Sequence, residues 1–276
     1  MSHASAEVIR ERASAYDQEY VKWHAKKVTV ESYEAWARFV LNAPGHEPGN
    51  SNGNEYEFAL RLLDVEHIAG KHVLDYCCGT GLSAIYFALL GAKVSAFDAS
   101  REAICRAQDS AALSGVAGEV SFSVMDAQRL AYPTSAFDLV YCQSALHIII
   151  DYPRCAEELA RVLKPGGKVV FCDEALGHNP LMMPFRWWRR RRWKTFGGRA
   201  LTLADLAAFG APFSRHKIHY FNLLSQVKAF CGDYISHPAI KAVLRSIYRL
   251  DEAMLRNVPF LRRYSGKVVV EYFVDR

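Results

Sequence analysis

The sequence predicts an α/β fold built on a doubly wound parallel sheet. Short apolar runs at His72–Tyr76, Lys93–Asp98, Val120–Met125, Phe137–Gln143 and Lys168–Asp173 alternate with helix-like stretches at Leu82–Leu90, Arg101–Leu113 and Pro153–Leu163. Alternation of this kind gives parallel strands joined by right-handed crossovers, with helices on both faces. A glycine-rich turn directly follows the first run, where such sheets bind ligands. A chain of 276 residues that is 51% hydrophobic and 23% charged can bury a substantial core.

Before the first strand the chain reads as helical. Tyr16, Tyr20, Trp23 and His24 follow helical spacing. Tyr33, Trp36, Ala37 and Val40 fall at i, i+3, i+4 and i+7, with Thr29 placed as the cap. Asn42–Asn54, rich in Pro, Gly and Asn, is expected to be a loop and hinge, and Glu55–Ile68 a further helix. Beyond the fifth strand come helical segments at Leu181–Lys194 and Thr202–Phe209 and an apolar stretch at Lys217–Leu223. A helix carrying Ile240, Val243, Leu244, Ile247 and Leu250 on one stripe precedes a terminal strand, Lys267–Val274. The domain expectation is an N-terminal helical cap or lid over 1–68 and a catalytic domain over 69–276. That domain would carry a helical insert at about 180–212 and helices at about 224–262.

No run reaches the eighteen or so apolar residues of a membrane span, and Met1–Tyr20 lacks the apolar core of a secretion signal, so a cytoplasmic protein is expected. The cysteines Cys77, Cys78, Cys105, Cys142, Cys155, Cys172 and Cys231 include no zinc-type C-x-x-C spacing and read as reduced core residues; no metal is expected. The formal charge of +5 is local. Arg186, Arg189–Arg192 and Lys194 contribute six positive charges, and without them 28 basic residues face 29 acidic ones. One basic spot is not the distributed face of a nucleic-acid-binding protein.

The strongest chemical signal is Val73-Leu74-Asp75-Tyr76-Cys77-Cys78-Gly79-Thr80-Gly81. Glycines there let backbone approach a nucleotide and adopt positive φ. Asp98, followed by Ala99, ends the second strand and is placed to accept hydrogen bonds from two ribose hydroxyls. The stretch Gly79–Ala84 also fits the dinucleotide pattern G-x-G-x-x-A, so the loop alone leaves nicotinamide dinucleotides and S-adenosylmethionine equally open. Three features favour the second. Asp75 would repel a pyrophosphate but suits a cationic amino group. Asp126 and Ala127 end the third strand, where an acid and a backbone amide can read an adenine edge. Leu163-Lys164-Pro165-Gly166-Gly167 places a Pro-Gly-Gly turn before the fifth strand.

Together these residues, with Phe137-Asp138-Leu139-Val140 through Leu146-His147, resemble the class I S-adenosylmethionine-dependent methyltransferases of small-molecule type over about residues 70–175. The resemblance implies a seven-stranded sheet whose last strand runs antiparallel, with S-adenosylmethionine as cofactor and S-adenosylhomocysteine as product. It assigns cofactor binding to Asp75, Cys77, Gly79, Gly81, Asp98, Ala99, Asp126, Ala127 and Gln143. Cys77 stands where the family usually has glycine; a β-like backbone there would accommodate a small side chain.

Methyl transfer to a small acceptor needs in-line positioning and, for a hydroxyl or protonated amine, a base. His147 after the fourth strand, and Glu174 and His178 after the fifth, are the catalytic candidates. Tyr16, Tyr20 and His24 are candidates for a lid over the site. The segment Pro184–Lys194, with Arg186 and Trp187 as candidate acceptor contacts, has three open readings: an anion-binding part of the acceptor site, a peripheral membrane contact through 181–194, and a solvated face with its tryptophans packed inward.

Overall fold

The computed structural model describes residues 13–18, 20–39, 55–180, 200–230 and 237–275. The expected loop Asn42–Asn54, the segment Leu181–Lys194, Val40 and Cys231 lie outside them.

Among the described residues the sheet has seven strands: β1 (His72–Tyr76), β2 (Lys93–Asp98), β3 (Val120–Val124), β4 (Phe137–Gln143), β5 (Leu163–Ala175), β6 (Arg215–Phe221) and β7 (Lys267–Phe273). Their order is β3-β2-β1-β4-β5-β7-β6, so strand order reverses between β1 and β4. The pairs among the first five strands are parallel, and β7 is antiparallel to both neighbours, β5 and β6. The expected antiparallel last strand is therefore present, slotted between β5 and β6.

Strands read as near-continuous apolar runs because helices cover both faces. On one face α1 (Val30–Phe39), α2 (Glu55–Leu62) and α3 (Leu82–Leu89) bury Tyr33, Ala59, Leu60 and Ile85 against Val73, Val94 and Val170. On the other, α5 (Leu146–Ile149), α6 (Pro153–Val162) and α7 (Leu203–Phe209) bury Leu146, Leu159 and Phe209 against Leu74, Val140 and Phe171. Val73 and Leu74 thus serve opposite cores, as a period of two requires. The helices α1 and α2 form a layer of this core. The connection α4 (Arg101–Leu113) begins at Ser100, whose hydroxyl accepts from the Ala103 amide, and Thr202 and Asp205 form a capping box on α7.

Four expectations are corrected. The helix from Glu55 stops at Leu62; Asp64 takes a left-handed backbone, φ 53°, and a 3₁₀ turn follows. The Pro-Gly-Gly turn is a bulge inside β5, because the register jumps from Phe137↔Leu163 to Leu139↔Lys168. Gly167 is required there, since a Cβ would lie 2.9 Å from the Lys164 carbonyl and 3.0 Å from that of Asp138. Cys105, read as a core residue, is exposed on α4.

The fourth concerns the long helix α8 (Pro238–Asn257). Its buried stripe is Leu244, Tyr248, Asp251 and Leu255, while Val243 and Leu250 are exposed. Apolar periodicity could not find this, because the anchor of the buried side is a carboxylate. Asp251 is buried and accepts from the amides of Leu223 (2.9 Å), Leu224 (2.7 Å) and Ser225 (3.0 Å), where the chain leaves β6. Asp251→Ala would strand three amides at once and is expected to cost about 3 kcal/mol. Urea unfolding should show the midpoint falling at constant m-value; a loss below about 1 kcal/mol would contradict the anchoring role.

Candidate functional site

The carboxyl ends of β1, β2 and β4 meet at the point where strand order reverses, and a cavity of about 960 Å³ opens there. Its wall includes Asp75, Cys77, Gly79, Asp98, Ala99, Asp126, Ala127 and Gln143, so eight of the nine expected cofactor contacts converge. Gly81 does not line it. That residue holds the turn itself: it is the N-cap of α3 at φ 74°, and a Cβ would come within 2.8 Å of Ala107 Cβ and 2.9 Å of Phe122 Cε1. Only glycine fits both the backbone and the space.

Asp98 is partly buried at the end of β2. It accepts from the Gly79 amide through Oδ2 (2.9 Å) and from the Ser100 amide through Oδ1 (2.9 Å). A carboxylate has about four acceptor sites, so capacity for hydroxyl donors remains. Burial pushes its pKa up, while the amides of Ser100, Gly79 and Ala99 pull it back. Asp75 differs from expectation in one respect: its Oδ2 is already engaged by the Ala84 amide (2.9 Å), in the first turn of α3. Burial pushes its pKa up to about 7, against that bond. It therefore ties β1 to α3 as well as lining the cavity. The Asp126 side chain accepts from the Gln128 amide (2.9 Å), and the Ala127 carbonyl accepts from Tyr76 Oη (2.9 Å), which fixes the end of β3. Gln143 Oε1 accepts from Tyr141 Oη at 3.3 Å.

Cys77 corrects the expected β-like backbone. Its φ is 58°, left-handed, which explains why glycine suits this position and why a Cβ there is strained. Burial pushes its thiol well up, as it does that of Cys78.

Tyr16 and Tyr20 line the cavity, their rings 6.2 Å apart, and Tyr20 Oη sits 3.0 Å from where a Gly79 Cβ would be. Burial, with the Asp98 charge nearby, pushes the Tyr20 hydroxyl well up. His24 is exposed and not on the cavity wall. Sequence reasoning missed what holds these tyrosines. The Asp17 carboxylate accepts from Ser100 Oγ and from the Glu102 amide (3.1 Å) at the start of α4. Further along α4, the Lys26 amide donates to Ser110 Oγ (3.2 Å) and the Val28 amide to Ser114 Oγ (2.8 Å). Asp17, Lys26 and Val28 are thus strapped along α4. Also missed was Gln128, buried on the cavity wall with no hydrogen-bond partner for Nε2.

The catalytic candidates stand beside the cavity and do not line it. Glu174 is fully buried and accepts from the Leu146 amide (2.8 Å), the His147 amide (3.3 Å) and His147 Nδ1 (3.1 Å). His178 is exposed and outside this pair. Arg186 and Trp187 lie outside the described residues.

A glycine turn, three strand-end acids and an aromatic roof at the reversal point define a nucleotide-cofactor site of the doubly wound α/β class. Residues 74–171 match the family model described as a methyltransferase domain. The chain is 35% identical over 113 residues to 27-O-demethylrifamycin SV methyltransferase of Amycolatopsis mediterranei, spanning 41% of this chain and 42% of that protein. It is 30% identical over 124 residues to a ubiquinone/menaquinone biosynthesis C-methyltransferase of Methylococcus capsulatus, spanning 44% and 50%. The chain thus spans half or less of the length of these curated relatives. In fold it is similar to geranyl diphosphate C-methyltransferase from Streptomyces coelicolor, solved with Mg²⁺, geranyl diphosphate and S-adenosylhomocysteine, with a TM-score of 0.58 at 16% identity over 96% of this chain and 97% of that one. Residues 74–171 are thus similar in sequence to methyltransferase domains, and the chain is similar in fold to a methyltransferase solved with S-adenosylhomocysteine.

The left-handed backbone at position 77 can be checked by substitution. Cys77→Gly should be more stable than Cys77→Ala by about 1 kcal/mol, because alanine keeps the strained Cβ and glycine does not. On an extended backbone the order would reverse, and thermal unfolding of the two variants decides it.

Proposed function

We propose that the protein transfers the methyl group of S-adenosylmethionine in line to a small organic acceptor of specialised or lipid-related metabolism. The observation that carries this reading is the cavity at the reversal point, lined by Asp75, Asp98 and Asp126 together with Tyr16, Tyr20 and Trp23. The residues fit the cofactor: Gln128 Nε2 is a buried donor on the cavity lining with no acceptor among the described residues. Asp98 would hold the ribose hydroxyls, Asp126 and the Ala127 amide the adenine edge, and Asp75 the amino group. S-adenosylmethionine supplies a methyl group already activated on a sulfonium.

The chain's own work is then to align the acceptor, exclude water and remove a proton where one must leave. Tyr16, Tyr20 and Trp23 supply apolar cover. Lys26 and Lys27 on the same wall suit an acceptor bearing a carboxylate or phosphate. For a hydroxyl acceptor that reaches past the cavity-lining Ala145 and Ile148, His147 is the base: Glu174 holds its Nδ1 side, leaving Nε2 as the atom that takes the proton. The relatives named for rifamycin and quinone methylation support the small-molecule class.

Calorimetric titration with S-adenosylhomocysteine, with NAD and NADP in parallel, tests the cofactor. Binding of the homocysteine compound alone is expected, weakened by about 1–3 kcal/mol in Asp98→Ala. Binding of a nicotinamide nucleotide instead, or an unaffected variant, would overturn the assignment. With a hydroxyl acceptor found by screening, His147→Ala should lower kcat by about 10²–10⁴-fold while cofactor affinity stays put. Unchanged turnover would remove His147 from the reaction.

A further inference from the structure

Four of the eight large apolar side chains that stand exposed among the described residues fall in one stretch: Val243 (59%), Leu250 (49%), Val258 (43%) and Phe260 (60%). They belong to α8 and the 3₁₀ turn Pro259–Tyr264 that succeeds it. The stretch has no part in the methyl-transfer reading, and its exposure stands whether or not that reading holds.

On α8 the apolar residues Ile240, Val243, Ile247, Leu250 and Met254 recur at alternating spacings of three and four, so they share one face. That face lies about a quarter-turn round the helix from the buried stripe of Leu244, Tyr248, Asp251 and Leu255. The buried stripe already docks α8 against β6 and the 3₁₀ turn Ser225–Phe230, so the second face is surplus to the core. The far edge of the exposed half carries Arg245, Arg249 and Arg256, with Ala242, Ser246 and Ala253 between the two edges. At the helix end the Arg263 guanidinium stacks 4.0 Å over the Phe260 ring and 4.7 Å from that of Tyr264. Over residues 238–264 there are six basic residues and two acids. One of those acids, Asp251, is buried on three backbone amides, and the other, Glu252, is paired with Arg256.

From this we infer that α8 and the Pro259–Tyr264 turn form a docking surface for an anionic lipid membrane. The chemistry matches on both counts. An apolar edge can enter the acyl boundary while the arginines of the opposite, polar edge keep the surface positive and attract lipid phosphates. Phe260, Tyr264 and Arg263 are residue types that settle at the headgroup level. A second copy of the chain is the poorer occupant, because a segment with six basic residues against two acids would meet the same net positive charge in its copy. No helix among the described residues is long and apolar enough to cross a membrane, so the contact is peripheral.

Co-sedimentation of the full chain with vesicles tests this, using phosphatidylcholine alone and phosphatidylcholine mixed with phosphatidylglycerol. Binding to the anionic vesicles only, weakening as salt is raised, is expected. The folded double variants Val243→Glu/Leu250→Glu and Arg245→Gln/Arg249→Gln should each bind about ten-fold more weakly or worse. Circular dichroism confirms folding, and the arginine pair is a conservative surface change should the first variant fail to fold. No binding by the unaltered protein would overturn the inference. So would full binding by both variants, which would move the contact elsewhere, or a dimer in solution that Val243→Glu splits, which would make the face an interface between copies.

Discussion

The turn between β1 and α3 is the constraint on which the site depends. Gly81 stands so close to Ala107 and Phe122 that a methyl group could not be inserted, which presses the start of α3 against both α4 and β3. Asp75 completes the join from the strand side by accepting the Ala84 amide. A helix N-terminus with unpaired amides attracts a carboxylate, so the bond supports the helix as well as the turn. With the turn held, Gly79 and Asp98 meet through a single hydrogen bond, and the cavity floor is set.

The roof is fastened by different means. Asp17 caps α4 from 83 residues away, adding to what Ser100 does locally, and two serines one turn apart on α4 accept amides from residues 26 and 28. These bonds are polar and half-buried, so they hold Tyr16 and Tyr20 in place more weakly than the apolar core holds Tyr33, which stacks 4.2 Å from Tyr86 and bonds Ser83. Local opening draws on segments with few buried apolar contacts. By that measure Tyr16 and Tyr20 are less firmly held than α1.

How much was legible in the sequence depended on what periodicity can carry. The five parallel strands and their helices were readable because both-face burial produces unbroken apolar runs, and the glycine turn because its spacing is local. Most of the expected residues that line the cavity came with it, since strand ends fix them. Three things were not readable, each for its own reason. Cys77 gives no local sign that its backbone is left-handed. The stripe of α8 was misplaced because apolar residues also occupy a face that the core does not use, while a carboxylate anchors the face that it does. Asp17 and Glu174 act across 83 and 28 residues, where a single sequence offers no pairing rule.

Charge links the floor of the site to the ligand it suits. Asp75, buried, and Asp98, partly buried, both line the cavity, and the Asp98 charge adds to what burial does to Asp75. Asp75 is pushed up to about 7, so between its ordinary carboxylate value and that point the folded chain keeps a proton the unfolded chain has released. Folding stability therefore falls as pH rises through that window, the reverse of an acid held in a salt bridge. Such an arrangement stores an unmet demand for positive charge at the edge of the sheet. A cation placed beside Asp75 favours its ionised form, so binding a positively charged ligand and releasing the Asp75 proton are thermodynamically linked. An anion such as a pyrophosphate would deepen the demand instead, and that asymmetry is what separates this glycine turn from the dinucleotide turn it resembles.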